Sequence, residues 1–180
     1  MKRNKTRRQR YEEKIKNSTC LPISVATINF SFDVNVAYII RAAACFGIEA
    51  VHVIGKLPER KILNELSGST YDYIKVFSYS SVHEFLEFIE NNNINLIAAE
   101  VPSECPYKIA NSIYDYSFDF NHRQCIIIGN ESYGIPIEIS LKSNIVYVPM
   151  NGVGFCLNAA QTANIILYES ARQYNEIKIL

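Results

Sequence analysis

Six short apolar segments, separated by segments with helical periodicity, most constrain the fold of this 180-residue chain. Each segment is apolar at nearly every position, whereas a strand with one face in water alternates apolar and polar side chains. Such strands are typical of a parallel sheet covered by helices on both faces. The predicted strands are 21–29, 50–55, 73–79, 95–102, 125–130 and 144–150. The sequence therefore predicts an α/β domain over residues 21–180, with about six mainly parallel strands.

Three predicted helices accompany these strands. Residues 33–47 form a helix that ends at Gly47, because glycine is favoured just beyond the last helical turn. A second helix begins near Ser81, since serine is a common N-cap. A long helix from Cys156 to about Tyr174 follows the last strand. Residues 102–124 contain several aromatic side chains and are predicted to be a mobile lid, or a short helix with a loop.

The composition excludes several classes of protein. No window contains about 18 consecutive apolar residues, as a membrane span requires, and no apolar signal-peptide core follows the basic N-terminus. Five cysteines without a CxxC pair or a Cys/His cluster of zinc spacing predict reduced thiols, no metal site and a cytoplasmic protein. Neither a Gly-x-Gly-x-x-Gly nor a Walker-type pattern is present, which argues against the usual dinucleotide and nucleoside-triphosphate sites.

The formal net charge of zero conceals a strong asymmetry. Residues 1–16 carry eight Lys and Arg side chains against Glu12 and Glu13, whereas the remainder of the chain is acidic by the same margin of six charges. Residues 1–20 are therefore predicted to form a basic N-terminal arm. Such an arm is typical of a tail that contacts phosphates, but a solvated, disordered start has the same composition. Charge alone leaves both interpretations open.

Three polar segments, two of which contain glycine, fall at the predicted ends of the strands. They are the loop before Asn35, GNESYG at 129–134 and NGVG at 151–154. Each could be only a tight turn. In parallel sheets, however, ligands bind beyond the carboxyl ends of the strands. The sequence therefore predicts a site assembled from these three segments.

Two polar side chains on the predicted helices are candidate site residues. Arg41 lies among isoleucines and alanines, and its guanidinium group needs either a structural ion pair or a phosphate or other anion as ligand. Asn158 lies at the start of the last helix, where it is either an N-cap or a ligand contact.

Three segments, taken in order, resemble a known set of motifs. They are NVAYIIRAAACFG from Asn35, IGNESYGIP from Ile128 and VPMNGVGFCLNAAQTANIILYE from Val148. Together they closely resemble the signature motifs of the SpoU (TrmH) branch of the SPOUT RNA methyltransferases, and the resemblance extends from about Leu21 to Gln173. It implies methyl transfer from S-adenosylmethionine to a ribose 2′-hydroxyl of tRNA or rRNA. It also implies a deep trefoil knot near the C-terminus and a homodimer with sites close to the subunit interface.

The resemblance also implies roles for individual residues. The four that correspond to the catalytic positions of the family are Arg41, Asn35, Glu131 and Asn158. Those that correspond to the cofactor-binding positions are Gly129, Val148, Met150, Cys156 and Leu157, with residues 98–100 as a further wall. Arg41 is expected to be essential, either as the base that acts on the hydroxyl or as a stabiliser of the developing alkoxide.

The chain departs from the family pattern at two positions. Ala37 stands where the family usually has glycine, and Cys156 stands where it usually has serine, which weakens a hydrogen bond. A non-catalytic RNA-binding protein of the same fold and a base-directed SPOUT methyltransferase therefore stay open as alternatives, with a small-molecule enzyme more remote. The short chain resembles the minimal, tRNA-directed members of the family more than the two-domain, rRNA-directed ones, so the resemblance implies tRNA in preference to rRNA as the substrate.

Overall fold

A single parallel sheet of seven strands forms the centre of the molecule in the computed structural model, which describes residues 5–179. The strand order is β3-β2-β1-β6-β4-β7-β5, and every pairing between neighbours is parallel. The strands are β1 (Leu21–Ile28), β2 (Ile48–Ile54), β3 (Lys75–Tyr79), β4 (Asn95–Ala99), β5 (Ala110–Ser112), β6 (Gln124–Ile128) and β7 (Ser143–Tyr147).

Six α-helices and two short 3₁₀ helices connect and flank these strands within residues 5–179. The α-helices are α1 (Arg7–Lys16), α2 (Asp33–Phe46), α3 (Arg60–Leu66), α4 (Val82–Asn91), α5 (Ile137–Lys142) and α6 (Ala159–Ile179). The 3₁₀ helices are Tyr71–Tyr73 and Pro102–Glu104. None of the helices in the described part of the chain combines the length and the apolar character needed to cross a membrane.

Alternate side chains of the central strands pack into separate cores on the two faces of the sheet. Ile126 and Ile128 of β6 pack with α2, α3 and α6, whereas Cys125 and Ile127 pack with α4 and α5. All four side chains are almost completely buried, which explains why the strand is apolar from Cys125 to Ile128. The predicted α/β class, with helices on both faces, is confirmed. The trefoil knot stays a prediction.

The strand count and the segment 102–124 need correction. The seventh strand is β5, which lies in this segment and pairs with β7 at the edge of the sheet. It was missed because Ala110–Ser112 contains only three residues, two of them polar, and none of the three is fully buried. The segment thus contains a short 3₁₀ helix with a loop, which was one of the two predicted forms, and an edge strand that was not predicted.

The helix ends follow from local hydrogen bonding. Gly47 takes a left-handed conformation, with φ of 73°, directly after α2, and the Ser81 hydroxyl accepts a hydrogen bond from the Glu84 N–H at the start of α4. Both ends were predicted correctly. The last helix was predicted from Cys156, but α6 begins at Ala159 because Asn158 caps its first turn.

The described part of the basic arm is helical. In α1, Thr6 and Gln9 form a reciprocal capping box, and no residue of the helix is buried. Residues 7–16 are therefore helical in this structure. Lys2 and Arg3 of the predicted arm lie outside the described residues.

Candidate active site

A cavity of about 710 Å³ lies at the carboxyl ends of β4, β6 and β7, between the beginnings of α2 and α6. Its lining includes every predicted site residue except Arg41: Asn35, Gly129, Glu131, Val148, Met150, Cys156, Leu157 and Asn158. Of the predicted further wall, Ala99 and Glu100 line the cavity, whereas Ala98 is fully buried in the core. The site therefore lies at the sheet edge that the strand order favours for ligands.

The GNESYG loop is folded tightly against the end of β6. Asn130 and Gly134 exchange two backbone hydrogen bonds of 3.0 Å, and the Asn130 side-chain oxygen accepts from the N–H groups of Ser132 and Tyr133. A Cβ atom on Gly129 would lie 2.5 Å from the Gly134 carbonyl carbon, so only glycine fits at position 129 without movement of the loop. This compact turn directs Glu131 toward α2.

Three of the predicted catalytic side chains are joined in one chain of hydrogen bonds. The Asn35 amide nitrogen donates to Glu131 Oε1 at 2.8 Å, and the Asn158 amide nitrogen donates to Asn35 Oδ1 at 3.1 Å. Asn158 Oδ1 in turn accepts from the N–H groups of Ala160 and Gln161 at the start of α6. Because Asn35 is only 4% exposed, its amide orientation is determined by these two partners. Asn158 is thus both the N-cap and a member of the site.

Glu131 is held in its ionised form. Partial burial acts to raise the pKa of Glu131, but hydrogen bonds from the Ser31 N–H and the Asn35 amide outweigh burial and leave the pKa below its ordinary value. The pKa of the neighbouring Glu100 is shifted the other way, because burial outweighs the hydrogen bonds from the N–H groups of Val101 and Ile135. The two carboxyl groups therefore differ in their readiness to carry charge.

The pH dependence of the free energy of unfolding is expected to reflect the hydrogen bonds that Glu131 accepts in the folded protein. Since the pKa of Glu131 is lower in the folded than in the unfolded chain, its contribution to the free energy of unfolding is present above the ordinary glutamate pKa of about 4.3 and is lost as the pH falls further. Urea unfolding of wild type and Glu131→Gln should differ most near neutral pH and converge in acid. Glu138→Gln, at an exposed position on α5, is the matched control and should show no such convergence. A constant difference for Glu131→Gln would contradict this environment.

Arg41 lies in an adjoining cavity of about 570 Å³ between α2 and α6. Asn35 and Asn158 line both cavities, so the hydrogen-bonded amides form the wall between them. The Arg41 side chain is exposed and forms no ion pair with any residue in 5–179. The sequence left two possibilities for Arg41, a structural ion pair or an anionic ligand, and the described residues provide no such ion pair.

The two departures from the family pattern have different surroundings. Ala37 is completely buried in the core, so α2 accommodates its methyl group. Cys156 is exposed in the irregular segment before α6, and its thiol has no hydrogen-bond partner among residues 5–179. The cavity also has lining residues that sequence reasoning missed, such as Phe32 and Thr162. Thr162 lies one helical turn after Asn158, and this spacing, which places both residues on one face of the helix, could have identified Thr162 from the sequence.

The parallel sheet, its covering helices and the cavity beyond the strand ends define the class: an open α/β protein with a ligand site at the carboxyl ends of its strands. Comparison with known proteins then identifies its family. The chain belongs to the SpoU rRNA Methylase family, whose family model matches residues 22–168. The resemblance drawn from the three motifs is thereby confirmed.

Two curated relatives and one solved structure illustrate the similarity. The tRNA (guanosine(18)-2′-O)-methyltransferase of Escherichia coli strain K12 is 23% identical over 140 residues, which cover 77% of this chain and 58% of the relative. The protein of the same name from Thermus thermophilus is 22% identical over 173 residues, covering 95% of this chain and 84% of the relative. The SpoU methyltransferase AviRb from Streptomyces viridochromogenes, solved with the cofactor AdoMet, has a TM-score of 0.72 at 23% identity, covering 91% of this chain and 64% of that one. The match to AviRb supports the fold.

Proposed function

We propose that this protein transfers a methyl group from S-adenosylmethionine to a ribose 2′-hydroxyl of RNA. The observation that carries the proposal is the separation of charge across the wall formed by Asn35 and Asn158. Three glutamates and no lysine or arginine of the described residues line the larger cavity, whereas the smaller cavity contains the unpaired Arg41. A cationic cofactor suits the first cavity, and a polyanionic substrate suits the second.

The larger cavity fits S-adenosylmethionine in size and chemistry. Its volume of about 710 Å³ is within the range of small-molecule sites, and Val148 and Leu157 provide apolar surface for an adenine ring. Glu100, Glu104 and Glu131 line it with carboxyl groups. These groups favour a ligand with sulfonium and ammonium charges. When bound, the cofactor supplies a methyl group that is already electrophilic.

The chain's own residues are then left to position the ribose and to stabilise charge. A guanidinium group keeps its proton at all ordinary pH values, so we assign Arg41 to stabilise the alkoxide that develops as the 2′-hydroxyl loses its proton to solvent water. The Glu131–Asn35–Asn158 chain holds rigid the boundary of the two cavities, where the ribose hydroxyl has to meet the methyl group, because each member has its orientation determined by a neighbour. Rigid positioning supplies much of the rate in such a reaction.

We further propose that the substrate is tRNA in preference to rRNA, and that the enzyme acts in the cytoplasm as a homodimer. The names of the Escherichia coli and Thermus relatives favour tRNA. The dimer is supported by large apolar side chains exposed on α2 and α6, among them Tyr38 (46%) and Tyr168 (57%). A second subunit would cover this surface.

The direct test is transfer of a labelled methyl group from S-adenosylmethionine into unmodified tRNA and rRNA, followed by digestion and mass identification of the product. A 2′-O-methylated nucleoside is the expected result. A methylated base would instead identify a base-directed enzyme. RNA binding without transfer would indicate the non-catalytic alternative.

The basic arm is proposed as an RNA contact. Deletion of residues 1–16 is expected to raise the KM for RNA about tenfold at ordinary salt and to flatten the dependence of binding on salt, because fewer counterions are released. Affinity for S-adenosylmethionine, measured by calorimetry, serves as the control and should not change, since no described residue of 1–16 lines the cofactor cavity. Unchanged RNA kinetics after the deletion would refute this role.

A further inference from the structure

The turn after α3 accepts both side-chain hydrogen bonds that attach helix α1 to the body of the protein. Gly68 has a φ of +68°, which favours glycine, and its carbonyl oxygen accepts from Arg7 Nη2 at 2.6 Å and from the Tyr11 hydroxyl at 3.1 Å. Tyr11 also stacks on Tyr73, with ring centroids 4.4 Å apart. Because no residue of α1 is buried, these contacts determine where the helix lies.

The same turn brings Arg7 close to Arg41. A Cβ atom built on Gly68 would lie 3.3 Å from Arg7 Nη2 and 3.6 Å from both Cζ and Nη1 of Arg41. Arg7 Nη2 and Arg41 Nη1 are therefore separated by about 7 Å at most. Two guanidinium groups, one from α1 and one from α2, thus face one small glycine turn.

Neither guanidinium group has a carboxylate partner among residues 5–179. By contrast, Arg8 on the same helix pairs with Glu12, and Arg60 on α3 pairs with Asp72. Two like charges within about 7 Å of each other, with no acid between them, repel, and an anion that binds both relieves this repulsion. The Gly68 bond uses one donor nitrogen of Arg7, and the other N–H groups of its planar fork remain for a ligand.

We propose that Arg7 and Arg41 together bind one phosphodiester group of the RNA substrate. A phosphate that accepts charge-assisted hydrogen bonds of about 2.8 Å from each side spans a gap of this size. The lack of a side chain at Gly68 leaves that space open. The inference rests on the proposed function only in that the phosphate belongs to RNA. It gives α1 a specific role, which is to position the RNA backbone beside Arg41.

A double-mutant cycle tests this shared site. RNA binding of wild type, Arg7→Ala, Arg41→Ala and the double variant is measured by fluorescence anisotropy with unmodified tRNA at several salt concentrations. Each single variant is expected to bind about tenfold more weakly, and the double variant little more weakly than either. The logarithmic salt slope should fall by about 0.9 in all three variants, because one phosphate contact is lost in each.

The control is the same cycle with Arg10→Ala, which removes an exposed charge from the same helix. The fold-loss of RNA affinity in the Arg10→Ala/Arg41→Ala double variant should equal the product of the losses in the two single variants. Tyr11→Phe removes the other hydrogen bond to Gly68 without a change of charge, and it should leave the salt slope unchanged. If the effects of Arg7→Ala and Arg41→Ala multiply, or if Arg7→Ala binds like wild type, the shared site is refuted.

The wild-type methyl-transfer assay separates this inference from the proposed function. Methyl transfer with multiplicative effects in the cycle would refute the shared phosphate site alone. Coupled binding without transfer would refute the reaction and leave the phosphate site in place. Failure of the wild-type chain to bind tRNA would refute both.

Discussion

Replacement of Arg41 by alanine is expected to reduce methyl transfer by about 10³-fold or more and to change the affinity for S-adenosylmethionine no more than a few-fold. Arg41 lines the smaller cavity, whereas the larger cavity, the proposed cofactor site, lacks Arg41. In the proposed reaction its positive charge therefore acts on the developing alkoxide and not on the cationic cofactor. Single-turnover transfer and calorimetric titration of the cofactor measure the two effects separately.

Two further variants make this result specific. Arg41→Lys keeps the charge without the planar fork, so we expect it to recover only part of the rate. Arg60→Ala removes an equally charged group on α3, outside both cavities, and should leave transfer intact. If Arg41→Ala instead abolished cofactor binding, Arg41 would be a structural residue.

Replacement of Asn35 by alanine is expected to lower the free energy of unfolding by about 2–4 kcal/mol and to abolish methyl transfer. Asn35 is nearly buried and connects Glu131 to Asn158, so its loss leaves a carboxylate and an amide without their partners. The wall between the two cavities would then lose its central member. Urea unfolding and the transfer assay provide the two measurements.

Comparison variants distinguish lost bonds from lost volume. Asn35→Asp keeps the shape but places a second carboxyl group beside Glu131, so it should be at least as destabilising at neutral pH and should recover in acid. Asn111→Ala, on the exposed edge strand β5, should change the free energy of unfolding by less than about 0.5 kcal/mol. Asn35→Ala with wild-type stability would show that the hydrogen-bonded chain is not formed in solution.

Much of the fold was predictable because the strands are buried on both faces. Cys125–Ile128 is apolar throughout for that reason, whereas Ala110–Ser112 has too few residues and too little burial to leave a pattern. The start of α6 was misplaced because Cys156 and Leu157 continue its apolar composition. Only the Asn158 side-chain bonds to the first-turn N–H groups mark the true boundary.

Most residues that line the candidate site could be predicted from the sequence, but its separation into two cavities could not. Asn35, Glu131 and Asn158 meet because their segments follow strands that end at one edge of the sheet. Asn35 lines both cavities, whereas Arg41 lines only the second, because residues six apart on a helix point about 120° away from each other. This rotation places Arg41 in the second cavity, and the helical spacing alone would have indicated it.

The hydrogen bonds of the site join residues that are far apart along the chain, which has a consequence for biosynthesis. Asn35 is 96 residues from Glu131 and 123 from Asn158, so its partners leave the ribosome long after it does. Contacts of such sequence separation form late in folding, because loop closure must come first. A nascent chain therefore has no assembled site until α6 has been synthesised and has docked on α2. The proposed methyl transfer would accordingly report that folding is complete.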